Sequence, residues 1–144
     1  MNPGTFVRLG DLPPTVEHPR SYFDRRGCII DCRGPLVISG KSHWGWGVIV
    51  LTESHDLSAW PDCGPVIPYG VTVEEGAWIF SFSMLAGCVI GANSVVAAGC
   101  VVRGQAVAPN VMVAGNPARV IARWEGGKWS YLKVSESGFC RDLR

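Results

Sequence analysis

His55 stands in the segment TESHD, with Glu53 two residues before it and Asp56 directly after. An imidazole titrates near neutrality, so it can take a proton from a weak nucleophile such as a hydroxyl and later return it. A nearby carboxylate or backbone carbonyl would fix which ring nitrogen carries the hydrogen. The residues alone leave an ordinary solvated loop histidine equally open. The other two histidines offer less: His18 lies among prolines, and His43 sits inside a short repeat just before Trp44. Cys63 follows His55 in the same stretch, but a lone thiol without a second, matched histidine is weak support for covalent catalysis.

What must position His55 is a repeat. From Ile90 an aliphatic residue returns every six places, at Val96 and Val102, and small residues sit four places after each, at Ser94, Cys100 and Ala106. The period extends back through Leu85, Ile79 and Val73, with Ser83 and Ala77 as small partners, and again through Val50, Trp44 and Ile38. Between Leu85 and Ile90 the step is five, so one residue is missing near Ala86 and Gly87. A hexapeptide period is the mark of a parallel β-helix, in which each rung supplies one short strand and one corner. Side chains alternate along a strand, so the large residue and the small one two places before it both point inward. His43, one place before inward Trp44, should point outward. Residues 52–70 interrupt the run with prolines, glycines and the histidine. Long insertions in a solenoid tend to mark a binding face.

Length and composition fit one domain of 144 residues. Residues 1–27 are proline-rich and lack the period, which predicts an extended lead-in. Residues 28–107 form the solenoid with its loop at 52–70, and 108–144 form a closing turn and a hairpin. Glu125-Gly126-Gly127-Lys128, between Trp124 and Trp129, has the glycines of a tight hairpin turn. The final residues are polar and should fray. A formal net charge of +1 gives no reason to expect nucleic acid as partner. No apolar run approaches the roughly 18 residues that suggest a membrane span, and the N-terminus lacks the pattern of a secretory signal. Of the six cysteines, Cys88 and Cys100 fall at or beside small inward positions, and Cys28, Cys32, Cys63 and Cys140 show no paired CxxC spacing. Unpaired thiols in a reducing cytoplasm follow, with a local bridge or a metal site left open.

VTVEEGAWIFSFSMLAGCVIGANSVVAAGCVV, followed by VMVAGNPARVI, resembles the hexapeptide-repeat acyltransferases, and most of all their sugar O-acetyltransferase branch, which includes the maltose and galactoside acetyltransferases. IVLTESHD resembles the segment that carries that family's histidine. The resemblance implies an all-β fold, a left-handed parallel β-helix, assembled as a homotrimer. It also implies acetyl-CoA as donor, no metal, and a hydroxyl of a sugar or sugar nucleotide as acceptor. Handedness comes from the resemblance and not from the period. His55 matches the family's base. Ser81 in WIFS, Ala98 in AAGC, Arg103 and Arg119 match positions that contact the donor, Ala98 through its backbone and the arginines as partners for phosphate. Asn116-Pro117 shapes a turn. Phe80 departs from the family, which usually has glycine there, and Phe82 follows in the same rung. These rings would either narrow the donor groove or pack between subunits. Outward Trp46 and Phe80 also predict a subunit interface that sets His55 against the Ser81-to-Ala98 surface of a neighbour. Two rival readings are a non-catalytic trimeric solenoid and a metal-dependent hydratase with three converging histidines.

Overall fold

A computed structural model describes residues 21–23, 27–62 and 64–133. Most of the expected lead-in, His18, Cys63, Cys140 and the expected frayed tail lie outside the described residues. β1 (Ser21–Phe23) runs antiparallel to β2 (Ile29–Asp31), which opens the first coil. β3 (Leu36–Ile38) and β4 (His43–Trp44) complete that coil. The second coil starts with β5 (Ile49–Leu51) and leaves the solenoid for a hairpin, β6 (Glu53–His55) and β7 (Val66–Pro68). It returns as β8 (Val71–Val73) and β9 (Trp78–Ile79). The third coil is β10 (Met84–Ala86), β11 (Cys88–Ile90) and β12 (Val95–Val96). The fourth is β13 (Val101–Arg103), β14 (Ala106–Val107) and β15 (Val111–Ala114). β16 (Arg119–Glu125) and β17 (Lys128–Tyr131) then close one face with antiparallel strands.

The coils stack into a three-faced prism of parallel strands. Face A carries β2, β5, β10 and β13; face B carries β3, β8, β11 and β14; face C carries β4, β9, β12 and β15. Register places one inward side chain directly over another. The columns are Ile30, Val50, Leu85 and Val102 on face A, and Ile38, Val73, Ile90 and Val107 on face B. Trp44, Ile79, Val96 and Val113 form the column of face C. All twelve are buried. Each aliphatic side chain withdrawn in this way contributes about 1.5–3 kcal/mol. The small inward serines also close the corners: Ser42, Ser83 and Ser94 each donate a hydroxyl hydrogen to the carbonyl three residues back. A buried hydroxyl satisfied in this way carries no desolvation penalty of its own.

Two corners never vary. From face B to face C, and from face C to face A, the inward step is six residues in every coil. All irregularity falls on the corner from A to B, where the step is eight, then twenty-three, then five, then five. Gly87 and Gly104 make the two short corners, at φ of 54° and 62°. Left-handed backbone turns the chain in fewer residues, and glycine adopts it without a Cβ penalty. The missing residue near Gly87 is therefore where the period placed it. Its repetition in the fourth coil corrects one expectation: Ala106 is exposed, and Val107 is the buried residue. The parallel repeat also runs on through β15, past the expected end of the solenoid at residue 107. The closing hairpin pairs Trp124 with Trp129 around Gly126 and Gly127, with the two indole systems edge to face at 5.4 Å. Among the described residues no helix is long and apolar enough to cross a membrane.

The alternation within β3 gives a direct test. Ile38 is fully buried and its neighbour Val37 is 39% exposed. Ile38→Ala should reduce the unfolding free energy in urea by about 2–5 kcal/mol, and Val37→Ala by no more than about 0.5–1 kcal/mol. Equal losses would contradict the inward column.

Candidate functional site

The twenty-three-residue step places His55 on a hairpin that springs from the A–B edge. The strands pair Glu53 with Pro68, Ser54 with Ile67 and His55 with Val66. His55 is exposed, and its Nδ1 lies 3.2 Å from the carbonyl oxygen of Gly64. A carbonyl can only accept, so Nδ1 carries the hydrogen in this contact and Nε2 holds the lone pair of the neutral ring. Gly64 reaches that position because it has no side chain: a Cβ there would run into the Asp56 carbonyl. The Asp56 N–H donates to Pro65 O at 2.9 Å and so closes the hairpin behind the ring. The carboxylates flanking His55 have other duties. Asp56 accepts the Ser58 N–H at 2.9 Å, and Glu53 pairs with Arg33. Of the tautomer-fixing groups expected from the sequence, a backbone carbonyl meets the ring.

The base of the hairpin is held by a charged cluster that the sequence reading missed. Arg33, at the A–B corner of the first coil, directs Nε to Asp31 Oδ1 at 2.8 Å and Nη2 to Asp31 Oδ2 at 3.2 Å. Its Nη1 meets Glu53 Oε1 at 2.8 Å. Asp31 is buried; burial alone would raise its pKa, but hydrogen bonds and charge from Arg33 outweigh this and hold it below the usual carboxylate range. Thr52 Oγ1 donates to the Asp31 carbonyl and accepts the Gly34 N–H, and Tyr69 donates its phenol hydrogen to the Glu53 carbonyl. Beside this base runs a groove of about 380 Å³, walled by Tyr69, Val37 and Val89. Gly70, Gly87 and Gly104 floor it in register, all at positive φ. Asp31 ends β2 and Arg33 follows two residues later, and local spacing carries no signal of the contact with Glu53.

Ser81 and Ala98 lie together, one coil apart, at the corner from C to A. Ser81 Oγ accepts the Trp46 N–H at 3.0 Å, and its O–H remains the group it can donate. Gly45 makes room for it, since a Cβ at Gly45 would stand 2.5 Å from the Ser81 nitrogen. Arg119 follows the turn of Gly115–Ala118 at the same edge, where the Ala118 N–H donates to Val101 O. Arg103 does not join this group. It ends β13 at the A–B edge, in register with Ala86 and, one coil further, Leu51, from which the hairpin departs. The structure thus brings Ser81, Ala98 and Arg119 to one edge and His55 with Arg103 to another, with the width of face A between them.

The aromatic departure extends beyond Phe80. Gly47, Phe82 and Gly99 occupy one corner position in successive coils, at φ of 62°, 61° and 68°. A bulky residue in this region is an outlier, costing roughly 1–2 kcal/mol relative to its relaxed backbone. Phe82 is nevertheless 74% exposed, and its ring crosses Gly47, where a Cβ would come within 2.7 Å of it. Trp46, Trp78 and Phe80 are exposed nearby on face C and its corner. His43 points outward as expected and stacks on Trp78 with ring centroids 4.3 Å apart.

Cys28, Cys32, Cys88 and Cys100 are buried, and Cys28 directs its Sγ hydrogen to the Gly45 carbonyl at 3.3 Å. Burial pushes the Cys32 and Cys88 thiols up to about 12 and Cys100 to about 11. Thiolate is the nucleophile, so Cys32, Cys88 and Cys100 are packing residues at any physiological pH, and Cys28 is equally buried. Among the described residues no group of three His, Cys, Asp or Glu side chains converges to hold a metal. Alkylation at pH 8 followed by mass spectrometry should leave the four unmodified in the folded protein and label all of them in denaturant. Rapid labelling of folded Cys88 or Cys100 would contradict the buried assignment.

Residues 70–104 match the family described as bacterial transferase hexapeptide (six repeats). Among solved structures, a maltose O-acetyltransferase from Clostridium difficile 630 is similar at 27% identity over 72% of this chain and 55% of that one, with a TM-score of 0.61. A hexapeptide-repeat acetyltransferase from Vibrio cholerae is similar at 30% identity over 62% of this chain and 56% of that one, with a TM-score of 0.51. The chain therefore spans just over half the length of these two solved proteins. No protein with a curated description matches it significantly. The likeness to the hexapeptide-repeat acyltransferases and their sugar O-acetyltransferase branch stands, and the prism is a left-handed parallel β-helix.

Proposed function

We propose that this chain is an acyltransferase that moves an acetyl group from acetyl-CoA to a hydroxyl of a sugar or glycoconjugate, with His55 as general base. The observation that carries the reading is the seat of the His55 ring. With the Gly64 carbonyl accepting from Nδ1–H on an exposed hairpin, Nε2 is the basic nitrogen of the ring. His55 takes the proton of the acceptor hydroxyl as that oxygen attacks the thioester carbonyl carbon. Backbone N–H groups stabilise the resulting oxyanion. Collapse of the tetrahedral species breaks the carbon–sulfur bond, and the imidazolium returns its proton to the departing sulfur. No covalent enzyme intermediate enters this sequence.

The donor would lie along the C–A edge. Ala98 and Gly99 leave the backbone open there, Ser81 offers a hydroxyl, and Arg119 offers a cation for phosphate. Phe82 and Trp46 would stand against the donor or against a neighbouring subunit. Because His55 rises from the A–B edge, a whole site requires the A–B edge of one subunit to meet the C–A edge of another. A closed homotrimer provides three such sites, and it would cover the exposed aromatic side chains at the C–A corner. Arg103, on the His55 edge, would then approach the donor from the opposite wall. Cys32, Cys88 and Cys100, buried as thiols, fit a reducing compartment such as the cytoplasm.

Replacing His55 tests the reading. His55→Ala should lower acetyl-CoA-dependent turnover by roughly 10²–10⁴-fold, measured as CoA release in a screen of sugar acceptors. Binding of CoA should be little changed, since the imidazole acts on the acceptor proton. Near-parental turnover in His55→Ala would remove the general base and favour a non-catalytic solenoid or another chemistry.

A further inference from the structure

We propose that Arg33 is a positioning residue of the site, clamping Glu53 and so fixing the strand that presents His55. The inference rests on the reading of His55 as the base. One guanidinium uses all three nitrogens: two grip the buried carboxylate of Asp31, and the third reaches Glu53 on the hairpin. A planar fork bound on two sides fixes direction as well as distance, which an ammonium cannot do. Asp31 belongs to face A of the first coil, so the anchor is the solenoid itself. Glu53 and His55 are two apart on one strand, and their side chains leave it on the same side. Holding Glu53 therefore sets the rotation of β6 about its own axis, the motion that would swing the imidazole away from its acceptor.

The remaining contacts support the same function. Thr52 ties the residue before Glu53 to the Asp31 carbonyl and the Gly34 N–H, and Tyr69 ties the Glu53 carbonyl from the returning strand. Arg33 keeps half of its side-chain surface in solvent, while Glu53 keeps 11% and Asp31 only 3%. The two carboxylates are thus the shielded partners, and the arginine bridges them from outside. Salt screens such shielded pairs far less than surface pairs.

Arg33→Ala would strand a buried carboxylate and threaten the fold, so Glu53→Gln and Arg33→Lys are the informative variants. Glu53→Gln leaves the Arg33–Asp31 pair intact and removes only the charge on the hairpin. Both should lower kcat by about ten- to a hundredfold, because small displacements of a catalytic group have effects of that order. Their KM for acetyl-CoA should stay within about twofold, because Arg33 and Glu53 hold the strand of the base and the imidazole acts on the acceptor proton. Amide exchange provides a readout that needs no activity: the Asp56 N–H, bonded to Pro65 O, should exchange faster in both variants. The Trp78 and Val101 amides within the solenoid should not change. A lower kcat with faster hairpin exchange supports the clamp. Parental kcat, or a lower kcat with unchanged hairpin exchange, overturns it. If His55→Ala keeps parental turnover the base assignment falls by itself, and hairpin exchange in Glu53→Gln still decides whether Arg33 holds the strand.

Discussion

Each coil of this chain must return to the same three faces with its inward side chain over the one below, and that stacking constraint governs everything else. Parallel strands about 4.8 Å apart leave little freedom in register. A one-residue slip would turn every inward Val or Ile out to solvent. The chain meets the constraint by keeping two corners invariant and placing all variation at the third. The A–B corner shortens at Gly87 and Gly104 and lengthens into the hairpin between Leu51 and Val71. Solenoid regularity and the placement of His55 are therefore one fact. The only corner that tolerates a change in length is the one from which a reactive side chain can be extended without disturbing the core.

The same constraint explains what was legible in the sequence. Inward residues are large, repeated and flanked by small ones, so the columns through Val50, Leu85 and Val102 could be read directly. Ala106 was misassigned because Ala106 and Val107 are both apolar, and a five-residue step looks like a six-residue one when its neighbour fits the pattern. The excursion at 52–70 was visible as a break in the period. Its internal pairing was hidden, because Val66, Ile67 and Tyr69 are exposed and so carry no inward–outward alternation. The clamp of Arg33 was illegible for another reason. It joins Asp31, Arg33 and Glu53 across a corner, and contacts between coils leave no mark on local spacing.

The site shows a similar division. A histidine flanked by carboxylates left either a carboxylate or a backbone carbonyl as its partner; the carboxylates are spent on Arg33 and on the Ser58 amide, and the ring is met by a backbone carbonyl. That carbonyl is in place because Gly64 lacks a side chain, a requirement invisible until the hairpin is built. The aromatic residues at the C–A corner are the reverse case. Phe80 was conspicuous by resemblance, but Phe82 bears the backbone strain, in a column where the coils above and below use glycine. Strain of this kind persists only where the surroundings enforce it, which is consistent with a ring that contacts a donor or a second subunit.

The central claim is that one chain carries the two halves of a site on different edges and that neighbours complete each other. Mixing tests this most directly. Chains with His55→Ala and chains with the donor edge blocked by Ala98→Trp are each assembled alone, then denatured, combined and refolded, and CoA release is followed with the same acceptor. The account predicts that each variant alone is inactive and that the mixture regains activity, since some trimers pair an intact His55 edge with an intact donor edge. A mixture as inactive as its parents, with mixed trimers demonstrated by mass spectrometry, would place both halves within one chain and contradict it.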